Sequence, residues 1–122
     1  LEQTQKGSLD ITKWLCWYLE VIRQALQESI KNIDRVLFKT NFWRAFHKYN
    51  LLPEQKKVLN LMLDSKDSQF EAGISAMQYQ KITRVSKATA TRHLAELTGI
   101  RCIKKLPGSG RSTRYVLRDY KL

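Results

Sequence analysis

Residues 75–99 read SAMQYQKITRVSKATATRHLAELTG, and two helix starts are written into them. Ser75 and Gln78 stand at the spacing of a capping box, in which the serine side chain meets the third helical N–H and the glutamine reaches back to the cap. That predicts a helix running to about Ile82. TRVS (83–86) is then a tight connection, Ser86 caps the next helix, and Gly99 ends it in the left-handed conformation that glycine tolerates. Two helices joined by a turn of three to four residues are the outline of a helix-turn-helix.

At about 100° per residue, Ala90, Leu94 and Leu97 share the face of the second helix that packs on its neighbours. The opposite face carries Ala88, Thr89, Thr91, Arg92, Ala95 and Glu96. Alanine there adds no solubility, but short side chains let a helix backbone approach a surface closely. A DNA major groove about 12 Å wide admits such a helix. Donors surround the alanines: Ser86, Lys87, Thr89, Thr91 and Arg92. Ser86 and Lys87 sit at the helix start, where unpaired N–H groups favour phosphate. Three roles stay open for Arg92: a grip on phosphate, a bidentate contact to guanine, or an ion pair with Glu96 one turn on. His93 has a structural or surface role, because His47 is its only histidine companion and neither cysteine stands at ligand spacing. The chain thus offers no catalytic, metal or cofactor constellation.

Beyond Gly99, IRCIKKL (100–106) and STRYVLRDY (112–120) read as two short strands joined across PGSG (107–110). A hairpin after the second helix completes a winged helix-turn-helix. Lys104, Lys105, Arg111 and Arg114 cluster around its turn, as a wing on DNA phosphates requires. From Lys81 to Arg118 there are ten lysines and arginines and one acid, Glu96. PGSG lacks the Lys-Ser/Thr ending and the following helix of a phosphate loop. Upstream, Pro53 opens a helix whose apolar face is Val58, Leu59, Met62 and Leu63, and Ile74 supplies a short strand.

Residues 1–52 form a separate helical region and 53–122 the winged-helix domain. After a polar opening with Asp10 as N-cap, the apolar positions Ile11, Leu15, Tyr18, Ile22, Leu26, Ile30, Ile33 and Leu37 follow the helical period. A break near Thr40 and Asn41 precedes a second helical stretch, Phe42 to Tyr49. Around Trp14, Trp17 and Tyr18 the helix is apolar on nearly every side, so it needs cover. The aromatic residues read as an ordinary core in preference to a ligand or cofactor pocket, and the large apolar surface around Trp14, Trp17 and Tyr18 needs another domain or a second copy of the chain to cover it.

The 122 residues are 43% hydrophobic, enough for a core, and carry a formal charge of +11, which favours a polyanionic partner such as duplex DNA. Cys16 and Cys102 are too few and too far apart for a disulfide framework, which fits a reducing compartment. No apolar run reaches the roughly 18 residues of a membrane span. The expectation is a soluble, cytoplasmic protein, and the start at Leu1 instead of methionine points to a piece of something longer.

QKGSLDITKWLCWYLEVI (5–22), FWRAF (42–46), LLPEQKKVLNLMLD (51–64), SKATATRHLAEL (86–97) and GSGRSTRYVL (108–117), in that order, resemble the C-terminal part of bacterial Fic-family proteins, filamentation induced by cAMP. Lys13 departs from the proline that often follows DIT in that family. The resemblance implies a catalytic helical domain ahead of these segments and a winged helix at the end. It also implies that the parent protein transfers AMP from ATP, with magnesium, onto a protein hydroxyl. The family carries that chemistry on His-Pro-Phe and Gly-Asn-Gly-Arg motifs, neither of which occurs here, so no catalytic residue carries over. The expectation is a mainly helical, non-enzymatic chain that binds DNA and regulates transcription. The alternative is a regulatory or dimerisation module that docks on the AMP-transferase domain.

Overall fold

The computed structural model of the chain describes residues 2–65, 70 and 72–119, with side chains from residue 10 onward. Among these the architecture is mainly helical: α1 (Glu2–Phe46), α2 (Pro53–Asp64), α3 (Ala76–Thr83), α4 (Lys87–Gly99), β1 (Ile103–Lys105) and β2 (Tyr115–Leu117). Two compact units result, residues 1–37 and 38–122. No described helix is long and apolar enough to cross a membrane.

The division does not fall at residue 52, where the composition changes. Phe42, Phe46 and Leu51 are buried in one core with Val58, Leu59, Met62 and Leu63 of α2, Tyr79 of α3, and Ala90, Leu94 and Leu97 of α4. The last turns of α1 are tied to α2 by Lys39 Nζ on both oxygens of Asp64, at 2.7 and 2.8 Å, and by Trp43 Nε1 donating to Asn60 Oδ1 at 3.1 Å. These contacts explain why the expected break at Thr40 and Asn41 does not occur. Such residues cost a helix only about 0.7 kcal/mol each, and burying two phenylalanines gains more than that. Nor does Asp10 cap the helix, which already runs from Glu2. The residues ahead of it include Glu2, Gln3, Gln5 and Lys6, all good helix formers.

In the first unit, Ile11, Trp14, Leu15, Trp17, Tyr18, Leu19, Val21, Ile22, Leu26, Ile30, Ile33, Val36 and Leu37 are all exposed. Isoleucine recurs at 11, 22 and 33 and leucine at 15, 26 and 37. An 11-residue repeat is 3.67 residues per turn, so this strip stays on one side of the helix. Trp14 and Tyr18 stack, with centroids 5.3 Å apart.

In the second unit, both oxygens of the α3 capping box are in place: Gln78 N donates to Ser75 Oγ and Ser75 N to Gln78 Oε1. The helix ends on Arg84 in the left-handed conformation. Gly99 does not terminate α4 in that way. The left-handed residue there is Arg101, at φ 63°, and the cap is Ile100, whose N–H reaches Glu96 O at 3.0 Å. The strands are antiparallel, with Ile103 opposite Leu117 and Lys105 opposite Tyr115. Ile74 pairs with the other edge of Tyr115 through bonds of 2.8 and 2.9 Å. This close pairing needs Gly73, because a Cβ there would lie 2.6 Å from the Tyr115 carbonyl oxygen and its φ is +83°.

Cys102 is fully buried under the hairpin, and burial pushes its thiol from 9.0 up to about 12. A thiol whose pKa is raised on folding stabilises the fold below its unfolded pKa, and that stability is lost as pH rises through the folded value. Urea unfolding should therefore show stability falling between pH 9 and 12 by roughly 1.4 kcal/mol per pH unit from this group, a slope that Cys102→Ala removes.

Candidate nucleic-acid interface

Rotation of α4 about its axis is set by what it buries. Ala90, His93, Leu94 and Leu97 face the core. His93 therefore faces inward. It is 3% exposed, and its Nδ1 is 2.9 Å from the hydroxyl of the fully buried Tyr79. Burial, followed by the nearby Glu54 and Glu96 carboxylates, pushes that phenol up to about 12. The hydroxyl thus stays protonated.

With that face inward, Ala88, Arg92, Ala95, Glu96 and Gly99 are exposed. At about 100° per residue Ala88, Ala95 and Gly99 fall in the middle of the outward face. A Cβ on Gly99 would touch nothing within 4 Å. Lys87 and Thr91 lie along one side of this thin strip and Arg92 and Glu96 along the other. Arg92 Nε is 3.8 Å from Glu96 Oε1, an exposed pair worth little in water. Glu96 also accepts from Gln55 Nε2 at 2.9 Å, and Gln55 in turn accepts from Leu52 N at the start of α2. Gln55 is buried and links the start of α2 to α4. Its position three residues after Leu52 is the only sequence signal for this role.

Ser86 and Thr89 act in the fold. Ser86 Oγ accepts from Thr89 N at 3.1 Å and donates to Thr89 Oγ1 at 2.8 Å. Thr91 Oγ1 donates back to Lys87 O at 2.9 Å. All three thus meet local backbone or one another. On the hairpin, side chains alternate between faces, so Lys104 and Lys105 point to opposite sides, and both are exposed. Arg111 is exposed on the short 3-10 turn Gly110–Ser112, which Gly110 enters at φ 64°.

Arg114 stands apart from the other cations. It is half-buried, and its Nη1 donates to Gly73 O at 3.2 Å and to Gln78 Oε1 at 2.9 Å. It ties the hairpin to the start of α3, a role for which its basic neighbours in sequence gave no sign. Lys87, Thr91, Lys105 and Arg111 line one cleft, together with the first turn of α3. Arg92 and Lys104 are not among its walls.

Cys16 is exposed and Cys102 buried, both as free thiols. Among the described residues no three His, Cys, Asp or Glu side chains gather to hold a metal. No protein-family model matches the chain, and no curated protein matches it.

The two kinds of cation are separable by stability. Arg114→Ala should cost about 1–3 kcal/mol in urea unfolding, because it leaves the Gly73 carbonyl without this donor. Lys105→Ala and Arg111→Ala should stay within about 0.5 kcal/mol of the parent chain.

Proposed function

We propose that residues 38–122 are a winged helix-turn-helix that binds duplex DNA, with α4 in the major groove and the hairpin as a wing on the backbone. One observation carries the reading. The outward strip of α4 is built from Ala88, Ala95 and Gly99 and is flanked by exposed cations, with nothing bulky standing between its backbone and a partner. Ten of the chain's cations and a single carboxylate fall between residues 81 and 118, and nine of the ten are exposed. In this reading α3 crosses the backbone, α4 reads the groove, and the bound site serves transcriptional regulation in the cytoplasm. The resemblance of the sequence extends the proposal. The chain is the non-catalytic C-terminal part of a Fic-like protein whose AMP-transferring chemistry lies elsewhere in the parent.

Duplex affinity is the test. If Lys87, Arg92, Lys105 and Arg111 each neutralise a phosphate, log K against log salt should slope at about −3.6. Arg92→Ala should weaken binding several-fold and flatten that slope by about one unit. Affinity that ignores salt, or no binding at about 50 mM salt, would falsify the proposal.

A second reading rests on a different part of the chain. The exposed strip on α1, with Trp14 at 55%, Trp17 at 62% and Tyr18 at 46% exposure, is a surface for protein. It supports a regulatory or dimerisation module that docks on an AMP-transferase domain or on a second copy. Light scattering separates the two partners. A dimer that Trp17→Ser converts to monomer identifies self-association, and a parent chain that is monomeric at all concentrations leaves the separate domain.

A further inference from the structure

Between α3, α4 and the hairpin lies an open cleft of about 600 Å³. Three cations line it, each from a different element: Lys87 from the first turn of α4, Lys105 from the end of β1 and Arg111 from the 3-10 turn. Among the described residues no carboxylate lines it. Among the described residues none of the three has an ion pair, whereas Arg23, Lys39 and Arg92 each have a carboxylate partner. Three like charges around one concavity repel one another and raise the local potential, and an anion in their midst relieves that repulsion. Gln80 and Tyr115 supply an amide and a half-buried ring to the same walls. The volume is that of a small-molecule site, far larger than a bare phosphate requires.

We infer that this cleft is a phosphate-ester site, taking the phosphate between Lys87, Lys105 and Arg111 and the attached sugar along Gln80 and Tyr115. The inference rests on the DNA reading for its natural occupant, which is a phosphodiester segment of one strand. It goes beyond that reading by separating two surfaces. The cleft grips the backbone of one strand without regard to sequence, while the strip of α4 outside it enters the groove, with Arg92 on a separate phosphate at the groove's edge. A free nucleotide carries the same chemistry and competes for the same place.

The probe is a 5′-phosphorylated dithymidine dinucleotide, followed by amide chemical shifts of the full chain at constant ionic strength. Saturable shifts centred on Thr91, Lys105 and Tyr115 are expected. Affinity should fall by about tenfold or more in the double variant Lys105→Ala, Arg111→Ala, and stay unchanged in Arg92→Ala. The unfolding midpoint of each variant confirms that it is folded. Unsaturating shifts spread over all surface lysines, or a double variant that binds like the parent, overturn the inference. Duplex titrations distinguish the sources. Dinucleotide binding without duplex binding keeps the cleft, as a site for free phosphate esters, and removes the DNA reading. Duplex binding weakened by Arg92→Ala but untouched by the double variant does the reverse.

Discussion

The burial of His93 beside Tyr79 decides what α4 can offer to anything outside the chain. A histidine that must be enclosed, with its Nδ1 2.9 Å from a buried hydroxyl, leaves the helix little freedom to turn about its axis. Ala90, Leu94 and Leu97 lie on the same side and reinforce the choice. A rotation of one residue, about 100°, would bring Arg92 or Glu96 toward the core and strand a charge there, at a cost of several kcal/mol. The exposure of Ala88, Ala95 and Gly99 is therefore a consequence of packing on the opposite face. Small residues there are what let that fixed outward face come near another surface.

The hairpin is held to this helix pair by a second set of constraints, all converging near Gly73. The absence of a Cβ at Gly73 lets Ile74 pair with Tyr115, and Arg114 closes the same junction onto Gly73 O and Gln78 Oε1. Gln78 therefore serves two elements at once, because the oxygen that caps α3 also receives the hairpin's guanidinium. Lys105 stands directly opposite Tyr115, so its place in the cleft with Lys87 follows from the strand register. The cationic cleft is in this sense built by a glycine, a β-bridge and a capping glutamine that also receives a guanidinium.

Local signals in the sequence were strong where one residue type does one job. Ser75, Gln78 and Ser86 mark helix starts because their side chains bond to the backbone beside them, and Ala90, Leu94 and Leu97 mark a face through spacing alone. Signals failed where a distant partner decides. Thr40 and Asn41 look like a helix break until Phe42, Phe46 and Lys39 find α2. Gly99 looks like a left-handed cap, but the turn into β1 places that conformation at Arg101 instead. Among Lys104, Lys105, Arg111 and Arg114, nothing local distinguishes the one guanidinium whose acceptors are 36 and 41 residues away. Charge is legible in a sequence, but the difference between a cation that builds a fold and one that faces solvent is made by tertiary contacts.

The first unit follows a different logic, because its regularity serves no core of its own. Ile11, Ile22 and Ile33, with Leu15, Leu26 and Leu37, repeat at 11 residues over a stretch that internal packing leaves exposed. A lone surface helix gains nothing from such spacing, since side chains that meet only water have no register to keep. The repeat has physical meaning when a partner runs alongside for several turns, as 3.67 residues per turn keeps the same side chains in contact along the full strip. Glu20, which accepts from both Arg23 and Gln24, lies on the side of the helix away from that strip. The two units thus present opposite chemistries to their surroundings, an apolar strip that requires dehydration to bind and a cationic face that acts through water and salt.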